Sequence, residues 1–364
     1  MWAVIIAVLF LLSLLCIRFL TGRLMRFEFI QTLAGGSTGG AAALSLGIVI
    51  AVAALLYFTL GAWNTAVALL FLLLFWLLCD AVSALICKVT GLCPARYYAG
   101  LAALVLTAVY LVGAWVNAHN VRATRYQLDS AGALGLDGLR IVGFSDSHIG
   151  SVFHADTFEK YIEDMNACEP DLAVIAGDFV DDDTGYEDMV KSCEALGKLK
   201  TACGVYYVFG NHDKGYFESS RGYDAAELKR QLEKNGVIVL EDEAVSIAGS
   251  VSLIGRQDTQ TRSRLSAQEL TAQCGDGYII MLDHEPNDYD SEAHSGADLV
   301  ISGHTHGGQF FSLRPLVKLL GKNDSLYGQQ KRGSTDFIVS SGIADWTLKF
   351  RTGCISEYFV IDIR

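Results

Sequence analysis

The sequence predicts an α/β fold of two stacked sheets flanked by helices, carried behind four membrane-spanning helices. Three observations support this. The chain of 364 residues is 51% hydrophobic and 19% charged, and the apolar excess lies before residue 118. Only five basic residues (Arg18, Arg23, Arg26, Lys88, Arg96) and two acids (Glu28, Asp80) occur there. After residue 117, short apolar runs alternate with stretches of helical period, and there are more such runs than one parallel sheet needs. Five of those runs end in residues that bind metals well.

The division falls at residue 117, with residues 1–117 as membrane region and 118–364 as soluble domain. Trp2–Ile17, Ala41–Trp63, Thr65–Ile86 and Tyr97–Val116 each carry at most one ionisable side chain. A helix of about 20 residues crosses the ~30 Å hydrocarbon layer, so four spans are expected. The first segment has no basic residue ahead of it and three comparable segments follow, which argues against a cleaved signal peptide. Five basic residues lie in the first and third connections, none in the second, and two (Arg122, Arg125) after the fourth span. That bias expects a multi-pass protein of the cell membrane with its soluble domain outside the cytoplasm. Gly35–Gly40, GGSTGG, lacks the ending of a phosphate loop and is read as a flexible connection. Asp80, near the end of the third segment, is read as an acid that reaches water.

The soluble part holds 23 basic and 38 acidic residues in 247 positions, a net charge near −15 and enough chain for one well-filled core. No nucleic-acid partner is expected, because such binding draws on neutralised phosphates. Its five cysteines include no C-x-x-C pair and are read as free thiols. Val121–Leu128 already alternates like a strand. Leu139–Ser145, Leu172–Ala176 and Val205–Phe209 follow as strands, separated by helical patterns over Asp156–Cys168 and Tyr186–Leu199. Ala225–Asn235 is a helix stopped by Gly236. Strand-like runs then dominate: Val237–Leu240, Val245–Ile247, Val251–Ile254, Tyr278–Leu282, Leu299–Ser302, Phe337–Ser340 and Tyr358–Ile363.

The metal-binding residues sit at strand ends: Asp146-Ser147-His148, Gly177-Asp178, Gly210-Asn211-His212-Asp213, Asp283-His284 and Gly303-His304-Thr305-His306. Ligands of open α/β sheets bind beyond the carboxyl ends of strands, so one geometric rule gathers all five. Singly, each has an ordinary reading: Asp146 a helix cap, Asp178 a turn acid, Asn211 a turn residue, His284 a loop imidazole. Together they form a metal site. Imidazole, carboxylate and amide oxygen without thiolate suit Mn²⁺, Fe or Zn²⁺. Asp181-Asp182-Asp183 is read as a solvated acidic turn, and Arg256, Arg262 and Arg264 as surface charge or contacts to a substrate phosphate.

The ordered series D-x-H, G-D, G-N-H-D, H and G-H-x-H resembles the calcineurin-like metallophosphoesterases. The extended G-H-T-H-G-G-Q (Gly303–Gln309) resembles their membrane-associated branch, which includes transmembrane metallophosphoesterases and relatives linked to hydrolysis of UDP-diacylglucosamine. The resemblance covers about Val121–Arg364. It implies a four-layer α-β-β-α metallophosphoesterase sandwich and two divalent metal ions. One ion falls to Asp146, His148 and His306, the other to Asn211, His284 and His304, with Asp178 bridging. His212 is implied to stabilise or protonate the leaving group, with Asp213 either orienting it or holding the turn. Ser147 departs from the apolar residue common in relatives. The expected function is a membrane-anchored phosphoesterase acting on phosphodiester or pyrophosphate bonds, in lipid-linked or cell-envelope substrates because the linker after the last span is short. The competing reading is a metal-binding membrane sensor or scaffold without turnover.

Overall fold

The computed structural model describes residues 14–130, 132–215, 221–311, 314–315, 319, 321 and 323–364. The chain divides into two compact units, Met1–Gly113 and Ala114–Arg364.

In the first unit, helical residues 14–24 (α1) precede α2 (Glu28–Leu33), α3 (Thr38–Thr90) and the start of α4 (Tyr98–Ala118). The Ser37 hydroxyl caps α3 by accepting the Gly40 N–H, and Gly91 ends it in the left-handed region. At 53 residues α3 would run about 80 Å, far more than one hydrocarbon layer. Gly61, at φ 81° and ψ 173°, breaks the helical geometry and divides α3 into two stretches. Two helices among the described residues, Thr38–Thr90 and Tyr98–Ala118, are long and apolar enough to cross a membrane, in place of the four expected. The second and third expected spans are joined in α3, because only Asn64 separates them and its amide bonds back to the Leu60 carbonyl. The first, Trp2–Ile17, lies largely outside the described residues. Asp80 keeps 15% of its side chain exposed and pairs with Arg23 at 2.8 Å. Cys87 and Cys93 are joined in a disulfide.

In the second unit the strands are β1 (Arg122–Leu128), β2 (Leu139–Phe144), β3 (Leu172–Ala176), β4 (Val205–Val208), β5 (Val237–Val239), β6 (Glu243–Ser246), β7 (Val251–Gly255), β8 (Tyr278–Leu282), β9 (Leu299–Ser302), β10 (Gly328–Arg332), β11 (Thr335–Val339) and β12 (Glu357–Ile363). The helices are α5 (Ala155–Asn166), α6 (Tyr186–Leu196), α7 (Ala225–Lys234), α8 (Ala267–Thr271) and α9 (Tyr289–Ala293). They build two six-stranded sheets, ordered β1-β12-β2-β3-β4-β5 and β10-β11-β9-β8-β7-β6.

The period of two along each strand decides which layer each side chain joins. Leu139 and Ile141 of β2, with Leu172, Val174 and Ala176 of β3, meet Ile280, Leu299 and Ile301 in the core between the sheets. The alternate residues, Val142, Phe144, Ala173 and Ile175, pack under Phe158, Ile162 and Leu196 of α5 and α6. On the other sheet Met281 and Val300 face Leu270 and Tyr289 of α8 and α9. The order is helix, sheet, sheet, helix. Ile141 is fully buried between the sheets, so Ile141→Val is expected to cost about 0.5–1.5 kcal/mol, read as a lower urea midpoint with an unchanged slope.

β2, β3 and β4 pair in parallel, as do β7, β8 and β9. Parallel pairing sends the carboxyl ends of neighbouring strands to one edge, where the site is built.

Candidate metal centre

Backbone hydrogen bonds lace the strand ends together. Asp146 N–H donates to Gly177 O at 2.9 Å, His148 N–H to Asp178 O at 3.1 Å, and Gly303 N–H to His284 O at 2.9 Å. The two sheets meet where His304 N–H lies 3.0 Å from both carboxylate oxygens of Asp146. Such approach needs glycine before the site residue. A Cβ on Gly210 would lie 2.5 Å from Asp178 N, and one on Gly303 would lie 2.5 Å from the Ser145 Cβ. Asp146, His148, Asp178, His304 and His306 all hold positive φ, between 36° and 70°. Left-handed non-glycine residues cost of order 1–3 kcal/mol each and persist where the surroundings over-determine them, as the lacing does here.

The seven candidate ligands converge. Asp146, His148 and His306 bring one donor atom each within 4.8 Å of one another, and so do Asp178, His284 and His304. Asn211 Oδ1 joins the second group, 2.8 Å from His304 Nδ1 and 3.2 Å from His284 Nε2. The polar atoms fit a cation. His284 Nδ1 must donate to Ala176 O at 2.7 Å, since a carbonyl only accepts. Its Nε2 therefore turns a lone pair toward Asn211 Oδ1 and, at 3.1 Å, Asp178 Oδ2. Only a second proton or a metal ion reconciles a lone pair with two acceptors. His306 repeats the pattern, with Nδ1 3.3 Å from Ala344 O and Nε2 3.7 Å from Asp146. His148 is fully buried, and both its ring nitrogens lack hydrogen-bond partners. Buried polar atoms are rarely left so, and a metal ligand is one resolution. Burial alone would raise the Asp178 pKa, but the His284 imidazole holds it far below the ordinary range. Burial and the neighbouring His284 push His304 down to about 4, which keeps its ring neutral as a ligand must be.

His212 stands beside this group, its ring centroid 5.0 Å from that of His148. Its Nδ1 lies 3.0 Å from Asp181. Burial opposes charge on the ring, but that hydrogen bond and the charges of Asp178, Asp181 and Asp213 raise its pKa overall. The structure thus corrects one expectation and favours one of two readings of another. Asp181 is buried and orients His212, rather than lying in a solvated turn. Asp213 instead accepts the backbone N–H groups of Asp178, Phe179, Val180 and Gly210 at 2.7–3.1 Å, fixing the loops that carry Asp178 and Asn211. Burial and the charge of Asp178 push its pKa up to about 6. Asp213→Ala leaves buried N–H groups unpaired, and a loss of about 1–3 kcal/mol in chemical unfolding is expected.

Three further residues shape the site. Trp346 is half-exposed with its ring centroid 5.2 Å from that of His212. Asp345 lies 3.6 Å from His306 Nδ1 and is held by the buried Arg351. Arg256 is buried among Asp283, Asp288 and Glu292, and Arg264 bonds Asp283, so both brace the residue before His284. Arg262 is exposed.

Two sheets whose strand ends bring carboxylates, imidazoles and an amide together define an α/β protein with a candidate metal centre. The chain belongs to the calcineurin-like metallophosphoesterases, and its residues 139–308 match the calcineurin-like phosphoesterase family. It is 31% identical over 265 residues to an uncharacterized metallophosphoesterase of Bacillus subtilis, covering 70% of this chain and 95% of that protein. A Helicobacter pylori uncharacterized metallophosphoesterase is 33% identical over 227 residues, covering 60% of this chain and 58% of that protein. The transmembrane protein with metallophosphoesterase domain of Danio rerio is 29% identical over 233 residues, covering 60% and 52%. The chain thus spans little more than half the length of the last two. Family membership implies a metal-dependent hydrolase of phosphate esters.

Proposed function

We propose that the chain is a membrane-anchored phosphoesterase that cleaves phosphodiester or pyrophosphate bonds at a pair of divalent ions (Mn, Fe or Zn). Asp146, His148 and His306 would hold one ion, and Asn211, His284 and His304 the other, with Asp178 available to both. The observation that carries this reading is that Asp146, His148 and His306, and likewise Asp178, His284 and His304, each bring three donor atoms within 4.8 Å of one another. Divalent ions bound there would neutralise phosphoryl oxygens and lower the pKa of the attacking water.

The protein's own groups do the rest. Water attacks phosphorus, the bond to the leaving oxygen breaks, and that oxygen takes a proton from His212 Nε2 while Nδ1 stays on Asp181. Trp346 flanks His212 and supplies a flat apolar wall for the leaving group. Trp346→Ala is expected to raise KM for bis-p-nitrophenyl phosphate roughly 2–12-fold with kcat unchanged, the value of one aromatic contact. An unchanged KM removes the wall from the account.

The test is metal analysis of the purified full chain, with hydrolysis of bis-p-nitrophenyl phosphate before chelation, after it, and after Mn²⁺ is restored. Activity that survives complete metal removal overturns the proposal. Lipid-linked phosphates belong in the same screen, since α4 ends only a few residues before β1. On our reading the basic residues favour a domain outside the cytoplasm. The Cys87–Cys93 disulfide lies in the connection which that orientation assigns to the reducing side, against the usual preference of disulfides. Labelling of Cys274 from outside intact cells supports the extracytoplasmic placement, and protection reverses it.

A further inference from the structure

The first unit carries a polar site in an otherwise apolar set of helices. A cavity of about 510 Å³ is lined by Arg23, Arg26, Asp80, Arg96 and Tyr97, with Cys87 and Cys93 at its rim. The single acid in that lining is already engaged: Asp80 lies 2.8 Å from Arg23 Nε and accepts the Tyr97 hydroxyl at 2.7 Å. Tyr97 is itself fixed by Trp76, whose Nε1–H donates to it at 2.8 Å. Arg26 stacks over the Tyr97 ring at 4.0 Å and lies 3.8 Å from Asp80, while keeping half of its side chain exposed. Arg96 has only Glu28, at 3.5 Å, and both side chains are more than 70% exposed, a pairing worth little in water. The lining holds three guanidinium groups and one carboxylate, and with Glu28 beside Arg96 the local excess is one positive charge, which suits an anion.

The cavity is not bounded by polar surface on every side. Ser83, Pro94, Tyr98 and Ala99 also line a second hollow of about 370 Å³ between the latter part of α3 and the start of α4. There the walls are Leu78, Val82, Ile86 and Leu106, each roughly half exposed. A cationic chamber that shares a wall with an apolar groove matches an amphiphile with an anionic head.

We propose that the first unit binds an anionic phospholipid, its phosphate headgroup held by Arg26 and Arg96 and an acyl chain lying in the groove between α3 and α4. This rests on the membrane-anchored reading but not on the hydrolytic one. Guanidinium forks pair with phosphate oxygens, and basic pockets between membrane helices take lipid headgroups.

The test is native mass spectrometry of the full chain in neutral detergent, titrated with phosphatidylglycerol, with phosphatidylcholine, or with inorganic phosphate alone. One phosphatidylglycerol is expected to stay bound in preference to phosphatidylcholine. Arg26→Ala with Arg96→Ala is expected to weaken it roughly thirtyfold, about fivefold per arginine. Arg96→Ala alone, at a side chain 72% exposed, gives the fivefold step even should the double variant misfold. Arg18→Ala, outside the cavity, is expected to change nothing. Equal retention by the arginine variants, or no preference over phosphatidylcholine, overturns the proposal. Inorganic phosphate that binds as tightly as the lipid and displaces it overturns the lipid as the source of the anion. Hydrolysis of bis-p-nitrophenyl phosphate by the same preparations reports the metal centre separately, so failure at one site is not read as failure at the other.

Discussion

His212→Ala is expected to lower kcat for phosphodiester hydrolysis by about 10²–10⁴-fold while metal content stays that of the native protein. The separation follows from how the residue is held. Its backbone N–H donates to Asp178 Oδ1 at 2.8 Å, and that bond survives truncation of the side chain. The Asp178 carboxylate thus keeps its support while the ring is lost. Asp181→Asn probes the same proton from the other end. An amide in place of the carboxylate no longer stabilises an imidazolium, so the rate falls by less than in His212→Ala while the ring stays in place. Metal lost together with His212 would make that ring a ligand. Unchanged turnover would remove His212 as the leaving-group acid, because such an acid cannot be lost without cost.

How much of this was legible without coordinates differs by residue. β3, β8 and β9 read correctly to the residue, because strands buried on both faces are unbroken apolar runs bounded by glycine and acid. β10 did not. Gly328–Arg332 reads GQQKR, an edge strand with no apolar face, and it forms only by pairing its backbone with β11. The five-residue helices α8 and α9 are too short for a periodic signal, although the Ser266 and Glu269 capping box marks where α8 begins. The seven candidate ligands were legible because each lies within four residues of a strand's carboxyl end, so chain order alone predicts one edge. Their supporting groups were not. Asp181 sits in a run of three acids that looks solvated, and nothing local shows that it folds under His212. Asp213 follows His212 in sequence, yet adjacent residues point apart and its carboxylate turns to the backbone instead. Trp346, Asp345 and Arg351 reach the site only through the loop between β11 and β12.

Arg351 is where the second large effect is expected. Arg351→Met is expected to cost about 3–5 kcal/mol of stability, because it strands a fully buried carboxylate. The guanidinium is itself fully buried. Its Nε donates to Asp345 at 2.9 Å, and its terminal nitrogens donate to the carbonyls of Gly342, Ala344 and Ile355 at 2.6–3.1 Å. Burial works to raise the Asp345 pKa, and Arg351 with His306 holds it below the usual carboxylate range. Without Arg351 the acid must protonate or draw in water, and three carbonyls lose their donor. Removing both charges as Asp345→Leu with Arg351→Met should recover much of the loss, since a buried pair replaced by apolar groups is often neutral. The metal site then discriminates a packing role from a positioning one. Asp345 faces His306 Nδ1, and partners that orient a ligand imidazole are typically worth 10–100-fold in metal affinity or activity. The double variant, stable again, is therefore still expected to bind Mn²⁺ 10–100-fold more weakly by calorimetry. Native affinity in that variant would reduce Arg351 and Asp345 to packing alone, and with it the account of how His306 is aimed.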